Sequence, residues 1–170
     1  SGAVRSASAS SVELITPWGR LSLSRFATLQ RVIWHRSGCV SIQVKICGIT
    51  REIDGLAAAN AGADAIGLIF WSGSKRRVSL EKAADICAAL PPLVTVTALM
   101  VDPTASEVEA VLEALPINLI QWHGKEGPEF CEQWRMPYVK ALPSSACGEL
   151  ESVMANYPSA RGFLLDAVAN

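Results

Sequence analysis

Polar side chains that could hold an anion and move a proton stand within or just after short apolar runs of this sequence. They are Cys47, the basic triplet 75–77, Asp102, Gln121, His123, Lys140 and Asp166. Thiol, imidazole and carboxyl groups can take or give protons, and a guanidinium can hold a carboxylate through two hydrogen bonds. Taken singly, each residue has a plainer explanation, such as a buried cysteine, a solvated loop or a helix cap. Their shared placement favours a site that binds an anion and transfers protons.

The elements that would position these side chains alternate between strands and helices from Ile42 onward. The predicted strands are 42–46, 64–70, 93–101, 117–121, 138–142 and 162–165, and the predicted helices are 50–62, 79–90, 104–115, 129–135 and 147–156. Thr50, Ser79 and Thr104 are predicted N-caps, the last in a capping box with Glu107. This rhythm predicts a parallel α/β sheet, whose strands end on one face. A doubly wound sheet and a barrel both fit it.

Composition excludes several classes of protein. The chain is 50% hydrophobic and 18% charged, with a formal net charge of −1, so we expect a globular protein that binds neither nucleic acid nor a membrane surface through bulk charge. Its five cysteines are scattered and contain no C-x-x-C pair, which favours reduced thiols over a disulfide framework or a zinc site. Without a membrane-length apolar run or a signal-peptide pattern, the predicted location is the cytoplasm.

Several motifs together resemble those of the phosphoribosylanthranilate isomerases, a family of tryptophan biosynthesis. They are V-K-I-C-G-I-T at 44–50, A-G-A-D-A-I-G at 61–67, S-K-R-R-V-S at 74–79, L-P-P at 90–92, Q-W-H-G at 121–124, V-K-A at 139–141 and F-L-L-D-A at 163–167. The resemblance covers residues 42–170 in order and spacing. It implies an α/β fold of the (β/α)8 TIM-barrel type, with units one to six in residues 42–170 and an extension in residues 1–41.

The resemblance also implies a chemistry. Family members catalyse an Amadori rearrangement without a cofactor or a metal, in which a phosphorylated small molecule, N-(5-phosphoribosyl)anthranilate, changes from an aldose into a ketose. By this resemblance, Cys47 is the general base that takes the C2 proton and Asp166 is the general acid that protonates the ring oxygen. Arg76 is the residue that holds the anthranilate carboxylate. Gln121 and His123 match the family's substrate-binding motif at strand four.

The two ends of the sequence carry further expectations. Residues 1–41 are predicted to lack a fixed fold, with short strands at 12–16 and 20–23 as the alternative. The sequence ends at Asn170, before the glycine-rich segment and the last two strands of the family, so we expect this stretch alone to be inactive. Unless the N-terminal segment replaces a strand, inward side chains such as Ile46 and Leu164 are expected to lose neighbours.

Two other functions fit the pattern. One is a different sugar-phosphate barrel enzyme, such as an aldolase, for which Lys140 would be the Schiff-base candidate. The other is an inactive half-barrel-like module that binds a phosphorylated ligand. The sequence leaves the oligomeric state open.

Overall fold

Nine strands and five helices make up the part of the chain that the computed structural model describes, residues 13–16, 19–22, 28–36, 39–143 and 150–166, with side chains from Gln43 onward. The strands are β1 (Glu13–Thr16), β2 (Gly19–Ser22), β3 (Thr28–Arg36), β4 (Cys39–Cys47), β5 (Ala65–Ile69), β6 (Thr95–Met100), β7 (Leu119–Trp122), β8 (Tyr138–Pro143) and β9 (Gly162–Asp166). The helices are α1 (Glu52–Asn60), α2 (Leu80–Ala89), α3 (Ala105–Ala114), α4 (Pro128–Glu132) and α5 (Leu150–Ala155).

The main sheet is wound in one direction. Its order is β3-β4-β5-β6-β7-β8-β9, and every pair from β4 to β9 is parallel, with a helix between consecutive strands. A doubly wound sheet reverses direction at a switch point, whereas these strands follow one another in chain order. The strands therefore form a curled half-barrel of the TIM-barrel type, which settles the alternative that the sequence left open.

Side chains alternate between the two faces of this sheet, as strand geometry requires. Ile46, Ile66 and Ile120 belong to the large core that the strands share with Ala83 of α2 and Val108 of α3. A second, smaller cluster on the inner face contains Cys47, Ile69 and Leu99. The prediction that Ile46 points inward is therefore wrong, because a shift of one residue along a strand moves a side chain to the opposite face.

The segment before residue 42 contributes strands where sequence analysis favoured the absence of a fixed fold. β1 and β2 form an antiparallel pair, close to the two short strands of the alternative. β3 pairs antiparallel with β4 along all nine residues, from Thr28 opposite Cys47 to Arg36 opposite Cys39. It takes the edge of β4 that a closed barrel would give to its eighth strand. The domain boundary after residue 41 stays a prediction, and residues 1–12 lie outside the described part.

Side-chain caps fix where two of the helices begin. The Ser79 side chain accepts a hydrogen bond from the backbone of Lys82, and Thr104 and Glu107 form the predicted capping box. The predicted Thr50 cap is wrong: α1 has Arg51 as its N-cap, and the Arg51 guanidinium donates to the Asp54 carboxylate at 2.8 and 2.7 Å. Among the described helices, none is long and apolar enough to cross a membrane.

Candidate active site

A cavity of about 390 Å³ lies at the carboxyl ends of the parallel strands β4 to β9. Cys47 ends β4, His123 follows β7, Asp166 ends β9, and Arg76 comes from the loop after β5. All four line this cavity, together with Ile69, Trp71, Ser74, Leu99 and Val101. Four of the five predicted site residues therefore meet at one cavity. The fifth, Gln121, is fully buried and contacts His123.

Gly48 lets the arginine approach the cysteine. Its φ of +85° belongs to the left-handed region that glycine tolerates, and a Cβ at this position would lie 2.7 Å from Nη1 of Arg76. The Arg76 side chain occupies that space and donates from Nη1 to the Cys47 carbonyl at 3.1 Å. The Cys47-Gly48 pair thus holds the Arg76 guanidinium at the carboxyl end of β4, where it lines the cavity and can bind a carboxylate.

Gly67 of β5 leaves room for two inward side chains of β4. A Cβ at Gly67 would lie 2.7 Å from Sγ of Cys47 and 2.9 Å from Nζ of Lys45. Sequence analysis missed Lys45, although the period of two along a strand places it on the same face as Cys47. Both side chains are buried, at 6% and 3% exposure, so Lys45 belongs to the interior of the site.

A chain of hydrogen bonds runs from Lys45 to Asp166 across the inner face. Nζ of Lys45 donates to Oε1 of Gln121 at 2.7 Å. Nε2 of Gln121 lies 3.0 Å from Nδ1 of His123, and Nε2 of His123 lies 2.9 Å from Oδ2 of Asp166. The imidazole of His123 thereby ties the carboxyl group to the buried side of the site.

Two basic groups, Lys45 and Arg76, lie beside Cys47. Burial is the largest influence on Lys45 and lowers the pKa of its ammonium group, the Cys47 sulfur beside it raises that pKa in part, and Arg76 lowers it further. Lys45 is also within hydrogen-bonding reach of the Cys47 side chain. The cavity therefore combines a candidate base, a candidate acid and a cation for an anionic ligand.

Other polar residues singled out in the sequence support the loops instead. Lys140 lies on the helix side of β8, where Nζ donates to the Gly124 carbonyl at 2.6 Å and to Oε2 of Glu126 at 2.8 Å. This places the Schiff-base candidate away from the cavity. Oδ1 of Asp102 accepts from the backbone of Lys125 at 2.6 Å, and Glu126 accepts from the backbone of Asp102 at 2.9 Å. Among the described residues, no cluster of three or more histidine, cysteine or acidic side chains could hold a metal ion.

Strands wound in chain order around a cavity at their carboxyl ends define a barrel-type α/β protein with groups for acid–base chemistry and anion binding. The chain belongs to the N-(5'-phosphoribosyl)anthranilate isomerase family, whose model matches residues 44–170.

Similar proteins carry the same name. The isomerase of Alcanivorax borkumensis is 50% identical over 125 residues, which are 74% of this chain and 57% of that protein. The crystal structure of the Thermotoga maritima isomerase has a TM-score of 0.68 at 34% identity and covers 74% of this chain and 62% of that one. An isomerase structure in complex with reduced 1-(o-carboxyphenylamino)-1-deoxyribulose 5-phosphate has a TM-score of 0.67 at 35% identity, covering 72% and 63%. The chain thus spans about three fifths of the length of these relatives.

Proposed function

We propose that this chain carries the acid–base site of a phosphoribosylanthranilate isomerase, a cytoplasmic enzyme that converts N-(5-phosphoribosyl)anthranilate into 1-(2-carboxyphenylamino)-1-deoxyribulose 5-phosphate. The observation that carries the proposal is that Cys47 and Asp166, at the ends of two strands, and Arg76, from the loop after β5, line one cavity. The free thiols of Cys47, Cys87 and Cys131, the cysteines whose side chains the structure describes, fit a reducing compartment.

In this proposal Asp166 acts first. It protonates the ring oxygen while the bond from that oxygen to C1 of the ribose breaks, which leaves a cationic iminium between C1 and the anthranilate nitrogen. The Asp166 side chain is 55% exposed at the cavity, so it can reach a bound sugar. Its neighbour His123 is less exposed and holds one of its carboxyl oxygens.

Cys47 then removes the proton from C2, because the iminium has made that proton acidic. The electrons of the C2–H bond form a double bond between C1 and C2 while the iminium electrons return to nitrogen, which gives an enolamine. The ketose forms when C1 gains a proton and the C2 hydroxyl loses one. The basic groups of Lys45 and Arg76 flank the cysteine. Arg76 holds the anthranilate carboxylate in a two-bond contact that orients C2 toward the sulfur. No step of this scheme needs a cofactor.

The experiment uses an extended chain, in which the residues of the Alcanivorax borkumensis relative that lie beyond its matched part are joined to this chain. Turnover of enzymatically generated phosphoribosylanthranilate is followed by its fluorescence. Asp166→Asn should lower kcat by roughly a hundred- to ten-thousandfold, because an amide cannot donate the proton. Asp85→Asn, an exposed aspartate of α2, is the matched control and should leave kcat unchanged.

An extended chain that folds but does not turn over the substrate contradicts the proposal and favours a module that only binds it. Retention of kcat in Asp166→Asn, within about threefold of the parent, contradicts the role of Asp166.

A further inference from the structure

We propose that Lys45 sets the direction of the hydrogen-bond chain to Asp166, and thereby decides which nitrogen of His123 carries a proton and which oxygen of Asp166 can carry the acid's proton. The inference rests on the proposed function, in which Asp166 is the acid. Lys45 and Gln121 are positioning residues in it, because neither is among the residues that line the cavity.

The first step follows from the Lys45 amine, which donates in either form and, when protonated, has donors and no acceptor. The Gln121 atom at 2.7 Å from Nζ must therefore be the carbonyl oxygen Oε1. A reversed amide would set the NH2 group of Gln121 against the ammonium, with donors facing each other. Gln121 is fully buried, so water could not relieve that conflict, and an unmade hydrogen bond there costs about 1–3 kcal/mol.

The second step passes from Gln121 to the imidazole. With Oε1 committed to Lys45, the amide nitrogen Nε2 faces His123 and donates to Nδ1 at 3.0 Å. A ring nitrogen that accepts a hydrogen bond carries no proton. The proton of the neutral imidazole is therefore on Nε2.

The third step reaches the acid. Nε2 of His123 donates to Oδ2 of Asp166 at 2.9 Å. Because Oδ2 is then an acceptor, a protonated Asp166 carries its proton on Oδ1. The proton for the ring oxygen is thus kept on one defined atom, and Asp166 cannot give it to His123 instead.

Burial decides which end of the hydrogen-bond chain fixes the orientation of the other. Lys45 is 6% exposed and Gln121 is fully buried, whereas the side chains of His123 and Asp166 are 25% and 55% exposed. Polar groups in the low-dielectric interior cannot exchange partners with water. The order is therefore imposed at the buried end, and it determines the protonation pattern at the open end.

The tautomer of His123 can be measured without substrate. The sequence has 2 histidines, His35 and His123, so a His35→Gln background isolates the signal of His123. The full chain is labelled with 15N-histidine, and its ring nitrogens are recorded by NMR at a pH where the imidazole is neutral. Magic-angle spinning gives the same information should the chain self-associate. We expect a protonated Nε2 and a bare Nδ1.

Two variants test the direction of the hydrogen-bond chain from Lys45 to Asp166. Gln121→Glu places a carboxylate, which only accepts, between Lys45 and His123, so Nδ1 of His123 should become protonated. Lys45→Met removes the donor that orients Gln121, so both tautomers should appear. Lys82→Met, which removes an exposed lysine of α2, is the matched control and should keep the parent pattern.

A protonated Nδ1 or an equal mixture in the parent overturns the inference, and so does an unchanged tautomer in a folded Gln121→Glu variant. The parent measurement needs no variant, so a variant that fails to fold does not remove the test. Full kcat in Asp166→Asn would contradict the acid role of Asp166 and leave the tautomer result standing. A wrong tautomer together with a lost kcat would end only the inference.

Discussion

Replacing Gly67 by alanine should damage the site more than the fold. The new Cβ would lie 2.7 Å from the Cys47 sulfur, 2.9 Å from Nζ of Lys45 and 3.1 Å from Cα of Cys47. Ordinary contacts begin near 3.4 Å, so the sulfur must retreat by at least about 0.7 Å. The lysine can bend away, whereas the Cys47 backbone is held by the ladders of β4.

The size of the effect follows from that displacement. Overpacking a well-filled interior costs about 1–3 kcal/mol of folding stability, which the rest of the sheet can absorb. A misplacement of about 1 Å at the reacting atoms costs on the order of a hundredfold in rate. We therefore expect kcat of the extended chain to fall roughly a hundredfold, while KM changes less because the variant leaves the Arg76 guanidinium in place.

The assay compares kcat, KM and urea unfolding of Gly67→Ala with those of Gly162→Ala. Gly162 also lies in a strand, and a Cβ there would meet only Cγ1 of Val139 at 3.8 Å, an ordinary contact. This control should keep its turnover. A folded Gly67→Ala variant whose kcat stays within about threefold of the parent would refute the placement of the Cys47 sulfur.

Three further predictions concern the anion site, the alkaline limit of stability and the sheet edge. Arg76→Lys should raise KM by about tenfold or more, because an ammonium cannot make a two-bond contact with a carboxylate, while Arg77→Lys changes it little; equal effects would contradict the role of Arg76. Burial raises the pKa of the Cys131 thiol from 9.0 to about 11, so the unfolded chain ionises first and stability is lost as pH rises from 9.0 toward about 11. Cys131→Ala should flatten that decline in urea unfolding, and an unchanged slope would contradict this cause. Deleting residues 1–37 from the 170-residue chain removes β3 and should make the shortened protein self-associate through the exposed edge of β4, which size-exclusion chromatography measures. Elution as a single copy of the shortened protein would show that β3 does not protect this edge.

The local elements could be predicted from the sequence because their signals are local. The Ser79 cap and the Thr104 capping box depend on residues within one turn, and the structure has both. The six parallel strands follow from short apolar runs between helices, and the observed strands differ from the predicted ones by a few residues at the ends. Four of the polar residues that follow these strands, Cys47, Arg76, His123 and Asp166, line one cavity, and their roles stay predictions.

The remaining features depend on contacts between distant residues. β3 mixes apolar with basic residues, and its partner is the open edge of β4, which no local pattern identifies. Lys45 was missed because a lysine in a strand is usually exposed, whereas here Gln121 and Cys47 provide its partners in the interior. The prediction put Ile46 on the wrong face of β4, because apolar side chains occupy both faces of a covered strand and the sequence does not distinguish them.

Release of deuterium from C2 of the substrate tests the role of Cys47 most directly. Phosphoribosylanthranilate deuterated at C2 is incubated with the extended chain and with its Cys47→Ala variant, and the appearance of deuterium in water is followed by NMR. The proposed mechanism predicts that the parent releases deuterium as it forms product and that Cys47→Ala, with its fold intact, does so roughly a hundred- to ten-thousandfold more slowly. Release by Cys47→Ala at the parent rate would show that another group takes the C2 proton.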